Sequence, residues 1–145
     1  PRLTELLARV LARLGSSRAM VVHGAGGLDE LSLSGPNQVT RLEQGRITTG
    51  TVDPGELGLA IRSNDSLKGG NVEENARATM DLLKGEKGPK RDVVLLNTAA
   101  VLVLAGLAAD FAQGMAMAAE SIDSVRALKV LADLARFTQG VARAS

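Results

Sequence analysis

The sequence predicts an α/β fold, a sheet with helices packed around it, and two neighbouring patterns carry that prediction. Leu3, Leu6, Leu7, Val10, Leu11 and Leu14 recur at three- and four-residue spacing, the period of an amphipathic helix. Directly after the polar Gly15-Ser16-Ser17-Arg18 comes Ala19 to Val22, a short, apolar, partly β-branched run. Such a run is what a strand buried beneath helices looks like. Helix followed by strand, with more helical periods later in the chain, gives α/β.

The first helix is expected to end at Gly15, the residue type that most often closes a helix. Beyond the strand, Leu31, Leu33, Val39 and Leu42 alternate with polar residues on either side of Gly35-Pro36-Asn37. Short strands are expected there, and Glu43-Gln44-Gly45-Arg46 should turn one of them into Ile47 to Val52 as a hairpin. Residues 53 to 70 form a loop-rich connection with one helical turn near Glu56 to Leu59. Asn71 with Glu74 makes a capping box before a helix that carries Val72, Ala76, Met80 and Leu83 on one face and stops at Gly85.

Val93 to Ala109 is apolar apart from Asn97 and Thr98. It falls short of the roughly twenty residues that a membrane span needs, so a fully buried helix is expected. A further helix should run from Asp110 to about Ser121, with Met115 and Met117 as core filler. Asp123 or Ser124 should cap a last helix bearing Val125, Leu128, Leu131 and Leu134, with a frayed tail from Thr138 to Ser145.

At 145 residues the chain matches one ordinary domain with a core of its own. Seventeen basic against sixteen acidic side chains leave a net charge of +1, so no global field draws nucleic acid or an anionic membrane. Two Phe without Trp or Tyr leave no stacking platform for single-stranded nucleic acid. Cys is absent, which excludes disulfides, thiolate metal sites and a Cys nucleophile, and a cytoplasmic location is expected. No secretion signal opens the sequence, and a start at Pro1 rather than Met suits a processed or excised piece.

The most informative stretch is Val21 to Glu30, where an apolar run breaks into a glycine-rich bend and delivers two adjacent carboxylates, Asp29 and Glu30. Hard cations such as Mg²⁺ prefer carboxylate and water oxygens, so this pair is the candidate metal site; a solvated turn is the plainer alternative. Gly24, Gly26 and Gly27 make no dinucleotide fingerprint, because its third glycine would fall on Asp29. No Gly-Lys-Ser or Gly-Lys-Thr occurs, and Lys68-Gly69-Gly70-Asn71 is either an anion-binding bend or a plain helix cap.

His23 is the only histidine, and it is expected to order the following turn by hydrogen bonding rather than to act in acid-base chemistry. Arg91 should be satisfied by a nearby carboxylate or anion, with Asp92 at the positive end of a helix dipole. Asn97, set in an apolar helix, needs partners and should anchor a loop.

Read together, these residues resemble the anthranilate phosphoribosyltransferase family. The resemblance rests on Arg18-Ala19-Met20-Val21-Val22-His23-Gly24, Gly27-Leu28-Asp29-Glu30 and Ser32-Leu33-Ser34-Gly35-Pro36. It continues through Leu67-Lys68-Gly69-Gly70-Asn71, Glu74-Asn75-Ala76, Gly85-Glu86-Lys87-Gly88-Pro89 with Arg91-Asp92, Leu95-Leu96-Asn97 and Ile122-Asp123-Ser124. It spans about residues 3 to 139. Departures are Gly26 and Asn71, where the family commonly has Asp, and Val125, where it usually has Gly.

The resemblance implies the C-terminal part of a nucleoside phosphorylase/phosphoribosyltransferase-type catalytic domain, residues 1–145, with a mixed sheet and surrounding helices. It implies transfer of phosphoribosyl from phosphoribosyl pyrophosphate to anthranilate in tryptophan biosynthesis, with release of pyrophosphate and help from Mg²⁺ held by Asp29 and Glu30. The family's glycine-rich diphosphate loop and its anthranilate-orienting Arg have no match here, so no catalytic or substrate-binding residue is assigned. This chain alone is then expected to be inactive, and the complete enzyme to form a homodimer through a helical domain that this sequence does not contain. Two alternatives stand beside this reading: a nucleic-acid-binding relative on the same scaffold, and a phosphoribosyltransferase with another aromatic amine as acceptor.

Overall fold

The computed structural model describes residues 2–142. Three strands, β1 (Arg18–His23), β2 (Asn37–Glu43) and β3 (Arg46–Val52), form one sheet in the order β1-β2-β3. Both pairings are antiparallel, with Val22 opposite Val39 and Leu42 opposite Ile47. The hairpin forms as expected: Gln44 (φ 48°) and Gly45 (φ 83°) both take the left-handed conformation that a tight two-residue turn requires. The resemblance implies a mixed sheet, yet the sheet within this chain is antiparallel throughout. Its strands are joined by a hairpin and a returning loop with no crossover helix between them, so direction reverses at each step.

Alternation along β2 sends Val39 to one face of the sheet and Thr40 to the other. Val39, Met20 and Val22 pack with Val93, Leu96 and Ala99 of helix α3 (Pro89–Leu104) and with Phe111, forming the main core. Helix α1 (Thr4–Arg13) covers the opposite face. There Thr40 Oγ1 donates to Thr4 Oγ1 at 2.8 Å and Gln38 Nε2 donates to it at 2.6 Å.

That polar contact corrects the simple reading of α1. The helix forms where its leucines predict, but Thr4 and Ala8 are its buried residues, while Leu3 is 63% exposed and Leu7 48%. A sheet face bearing Thr40 and Gln38 selects the small, partly polar side of the helix, and the leucine stripe is left facing outward.

Helix α2 (Val72–Leu83) begins at the expected capping box, with Asn71 Oδ1 accepting from the Glu74 amide and Glu74 Oε2 from the Asn71 amide, each at 2.9 Å. Helix α4 (Phe111–Asp123) starts at Asp110, whose side chain accepts from the Gln113 amide. It lies against α3 so closely that a Cβ on Gly114 would stand 2.8 Å from Ala99 Cα, and only glycine permits that approach.

Helix α3 is buried along one side only. Val93, Leu95, Leu96, Ala99 and Ala100 are inside, whereas Val101 is 63% exposed, so the expected full burial is not met. No described helix is long and apolar enough to cross a membrane.

Asp123 is the last residue of α4 rather than a cap for helix α5 (Arg126–Ala142), and α5 continues through the tail expected to fray; residues 143–145 lie outside the described chain. The connection before α2 holds a turn at residues 54–58 and a 3₁₀ turn, Asn64–Leu67. Leu31 and Leu33 are fully buried, but they sit in an irregular segment and not in the expected strand.

Candidate metal centre

The bend after β1 folds back on itself at once. The Gly24 amide donates to Leu28 O at 2.9 Å, and a Cβ on Gly24 would lie 2.1 Å from Glu30 O, so the return of the chain depends on glycine there. A 3₁₀ turn, Ala25–Gly27, follows, in which Gly26 (φ 76°) and Gly27 (φ 86°) reverse the backbone. Asp29 and Glu30 then emerge exposed at the tip.

Asparagine side chains hold both ends of this bend. Buried Asn37, at the start of β2, accepts from the Ala25 amide at 3.1 Å and the Ser32 amide at 2.7 Å, and donates to Ser32 O, Gly35 O and Val52 O. Asn64, in the second 3₁₀ turn, donates to Ala25 O at 3.0 Å and accepts from Ser32 Oγ at 2.7 Å. Asn97 of α3 accepts from the Leu31 amide and donates to Leu31 O, both at 2.9 Å. Its primary amide thus supplies Leu31 with the donor and acceptor that a neighbouring strand would otherwise offer. Asn97 anchors a loop, as its position in an apolar helix predicts.

Among the described residues, neither Asp29 nor Glu30 forms an ion pair or a side-chain hydrogen bond, and no group of three or more His, Cys, Asp or Glu gathers to hold a metal. The donor set is therefore two uncommitted, exposed carboxylates. This fits Mg²⁺, which takes one or two protein carboxylates and completes its octahedron with water and substrate phosphates. A softer or nitrogen-seeking metal finds no ligands in the bend.

The remaining candidates resolve differently. His23 ends β1, half-buried opposite Gln38, and makes no side-chain hydrogen bond to a described residue; Asn37 orders the turn instead. In the Lys68–Asn71 bend, the Gly70 amide is taken by Asn75 Oδ1 and the Asn71 amide by Glu74, so these donors serve the cap of α2 and are not free for an anion. Arg91, 3% exposed, places Nη2 at 2.9 Å from both oxygens of Asp123 and so ties α3 to the end of α4. Sequence reasoning missed Asn37, Asn64 and Ser32 as supports of the bend. Only Asn37 carried a local signal, as part of a Gly-Pro-Asn turn.

Residues 1–128 match the model of the glycosyl transferase family, α/β domain. The chain belongs to that family. Curated relatives within the match are named anthranilate phosphoribosyltransferase: that of Pelotomaculum thermopropionicum is 49% identical and that of Symbiobacterium thermophilum 47%, each over 138 residues. Each alignment covers 95% of this chain and 40% of the relative.

Among solved structures, anthranilate phosphoribosyltransferase from Thermus thermophilus superposes with a TM-score of 0.86 at 38% identity, over 96% of this chain and 41% of that one. The enzyme from Saccharomyces cerevisiae, in complex with PRPP and Mg, gives 0.79 at 28% identity, over 88% and 37%. This glycosyl transferase-family chain therefore spans about two fifths of the length of the relatives that it matches.

Proposed function

We propose that this chain is the metal-holding part of an anthranilate phosphoribosyltransferase. In the full-length enzyme the amine of anthranilate would displace pyrophosphate from C1 of phosphoribosyl pyrophosphate, a step in tryptophan biosynthesis. The observation that carries this reading is the bend itself: two carboxylates without other partners among the described residues, held at its tip in a family whose yeast member was solved with PRPP and Mg.

Asp29 and Glu30 would hold Mg²⁺ on the diphosphate side. The ion supplies charge neutralisation of the leaving pyrophosphate. The asparagine-bonded backbone keeps both carboxylates at the site, and the glycines leave room for the chain to reverse beneath them. The same reading carries a cytoplasmic location, a homodimer formed outside this segment, and the assignment of residues 1–145 to one part of the catalytic domain.

Support for anthranilate as acceptor comes from relatives of that name and from a yeast structure in complex with 4-fluoroanthranilate. Asp29→Asn with Glu30→Gln in the full-length enzyme is expected to lower Mg²⁺-dependent consumption of phosphoribosyl pyrophosphate about 100-fold or more, the scale of losing electrostatic stabilisation of a developing charge. An unchanged magnesium dependence would remove the metal assignment. The isolated 145-residue chain should show no transfer with both substrates and Mg²⁺, because proximity and charge stabilisation need every part of the site together; measurable transfer would refute this.

A further inference from the structure

We propose that Asn97 and Asn64 are positioning residues that set the affinity of the Asp29–Glu30 pair for a divalent cation. The inference rests on the metal reading above and deepens it. Ala25 and Leu31 are the two ends of the bend, and between them lie Gly26, Gly27, Leu28, Asp29 and Glu30. Two glycines in a stretch this short make it expensive to order, since glycine loses the most backbone freedom.

The asparagines remove that freedom before any ion arrives. Asn97 Oδ1 accepts from the amide of the peptide linking Glu30 to Leu31, and Asn97 Nδ2 donates to Leu31 O in the next peptide, so the two peptide planes that flank Leu31 are both held, the first of them containing Glu30 Cα. Asn97 is itself seated by its bond to Val93 O in its own helix. At the other end, Ala25 is held through its amide by Asn37 and through its carbonyl by Asn64.

Asn64 also grips Ser32, just past the carboxylates, through the 2.7 Å bond from Ser32 Oγ. One side chain thus spans the two limbs of the bend. Groups that hold metal ligands in place without touching the metal typically alter its affinity by about 10- to 100-fold. The two asparagines do so through the backbone rather than through the carboxylates.

The division of labour separates these positions from ordinary structural polar residues. Asn37 is fully buried and bonds five backbone groups, including Val52 O in β3, so its loss would disturb the sheet. Asn64 sits in the second 3₁₀ turn and is only half-buried. Its removal takes one bond from each limb of the bend, leaving Ala25 O with Ser34 Oγ and the Ala25 amide with Asn37, and it touches no strand or α-helix.

The test uses the full-length enzyme with Mn²⁺ as a spectroscopic stand-in and inorganic pyrophosphate present, free Mn²⁺ being read by electron paramagnetic resonance. Asn97→Ala and Asn64→Ala are each expected to weaken Mn²⁺ binding about tenfold. The Mg²⁺ concentration for half-maximal rate should rise in step, with kcat at saturating Mg²⁺ affected far less.

Ser32→Ala, which removes one of the two Asn64 bonds, should give a smaller shift in the same direction. A purely structural role would lower the melting temperature and leave Mn²⁺ affinity at the parent value, and that outcome overturns the proposal. Should Asn97→Ala fail to fold, Asn64→Ala decides. Asp29→Asn with Glu30→Gln runs alongside: no loss of Mn²⁺ binding in that variant sinks the metal reading itself, whereas loss there with unchanged affinity in both asparagine variants sinks only the positioning role.

Discussion

The bend after β1 and helix α1 lie on either side of one strand, and they meet their surroundings in opposite ways. The bend is polar, glycine-rich and short, yet side chains from β2, a 3₁₀ turn and α3 grip it. Helix α1 is strongly amphipathic, yet it rests on the sheet through Thr4 and Ala8 and turns its leucines away. Within this segment, which spans about two fifths of its relatives' length, the side of α1 that meets the sheet is therefore set by the sheet's own face, and the exposure of the leucine stripe is that of the segment by itself. Long-range hydrogen bonds impose order where local propensity is weak, and strong local pattern leaves a surface uncovered.

Leucine truncation on the two sides would break that contrast most sharply. Leu33 is fully buried in the main core beside the bend, and Leu33→Ala should destabilise the 145-residue chain by about 3 kcal/mol in urea denaturation, the usual cost of a large-to-small core change. Leu7→Ala on the outward face of α1 should cost less than about 0.5 kcal/mol, as exposed substitutions do. Equal costs would mean that the α1 stripe is buried after all.

The α3–α4 contact that backs the Asn97 anchor comes next. Gly114→Ala places a methyl only 2.8 Å from Ala99 Cα, and overpacking of this kind should cost about 2 kcal/mol and lower the melting temperature. A neutral result would show that the two helices can separate without disturbing the core.

The smallest effect is a gain. Val125, a β-branched residue at φ 58° between α4 and α5, occupies a conformation that suits glycine. Val125→Gly should raise stability by roughly 0.5–1 kcal/mol, the relief of strain being partly offset by the greater freedom of glycine in the unfolded chain. Thermal unfolding of the two chains side by side checks this, and a lower melting temperature for the glycine variant would contradict it.

Much of this architecture was legible because its signals are local. The three- and four-residue leucine period announced α1, Asn71 with Glu74 announced α2, and Gln44-Gly45 between alternating segments announced the hairpin. Leu31 and Leu33 misled because their burial and alternation are those of a strand, while Leu31 takes its backbone partners from Asn97, 66 positions away. The outward turn of α1 was illegible for a similar reason: the face that a helix buries depends on Thr40 and Gln38 across the sheet.

Asp29 and Glu30 could be read as candidate ligands from residue type alone. The supports that hold them are harder to read: Asn37 offers only its place in a Gly-Pro-Asn turn, and Asn64 sits 39 positions from the Ala25 carbonyl that it bonds. Departures from the family pattern were more informative than matches in one place, since Val125 falls where the backbone asks for glycine.

Whether the bend presents a metal-binding carboxylate pair is decided by an anomalous difference map. Crystals of the full-length enzyme grown with Mn²⁺ and pyrophosphate should show a peak within coordination distance, about 2–2.3 Å, of Asp29 and Glu30 carboxylate oxygens. A metal peak on pyrophosphate held by other residues, with these two carboxylates left in solvent, would contradict it.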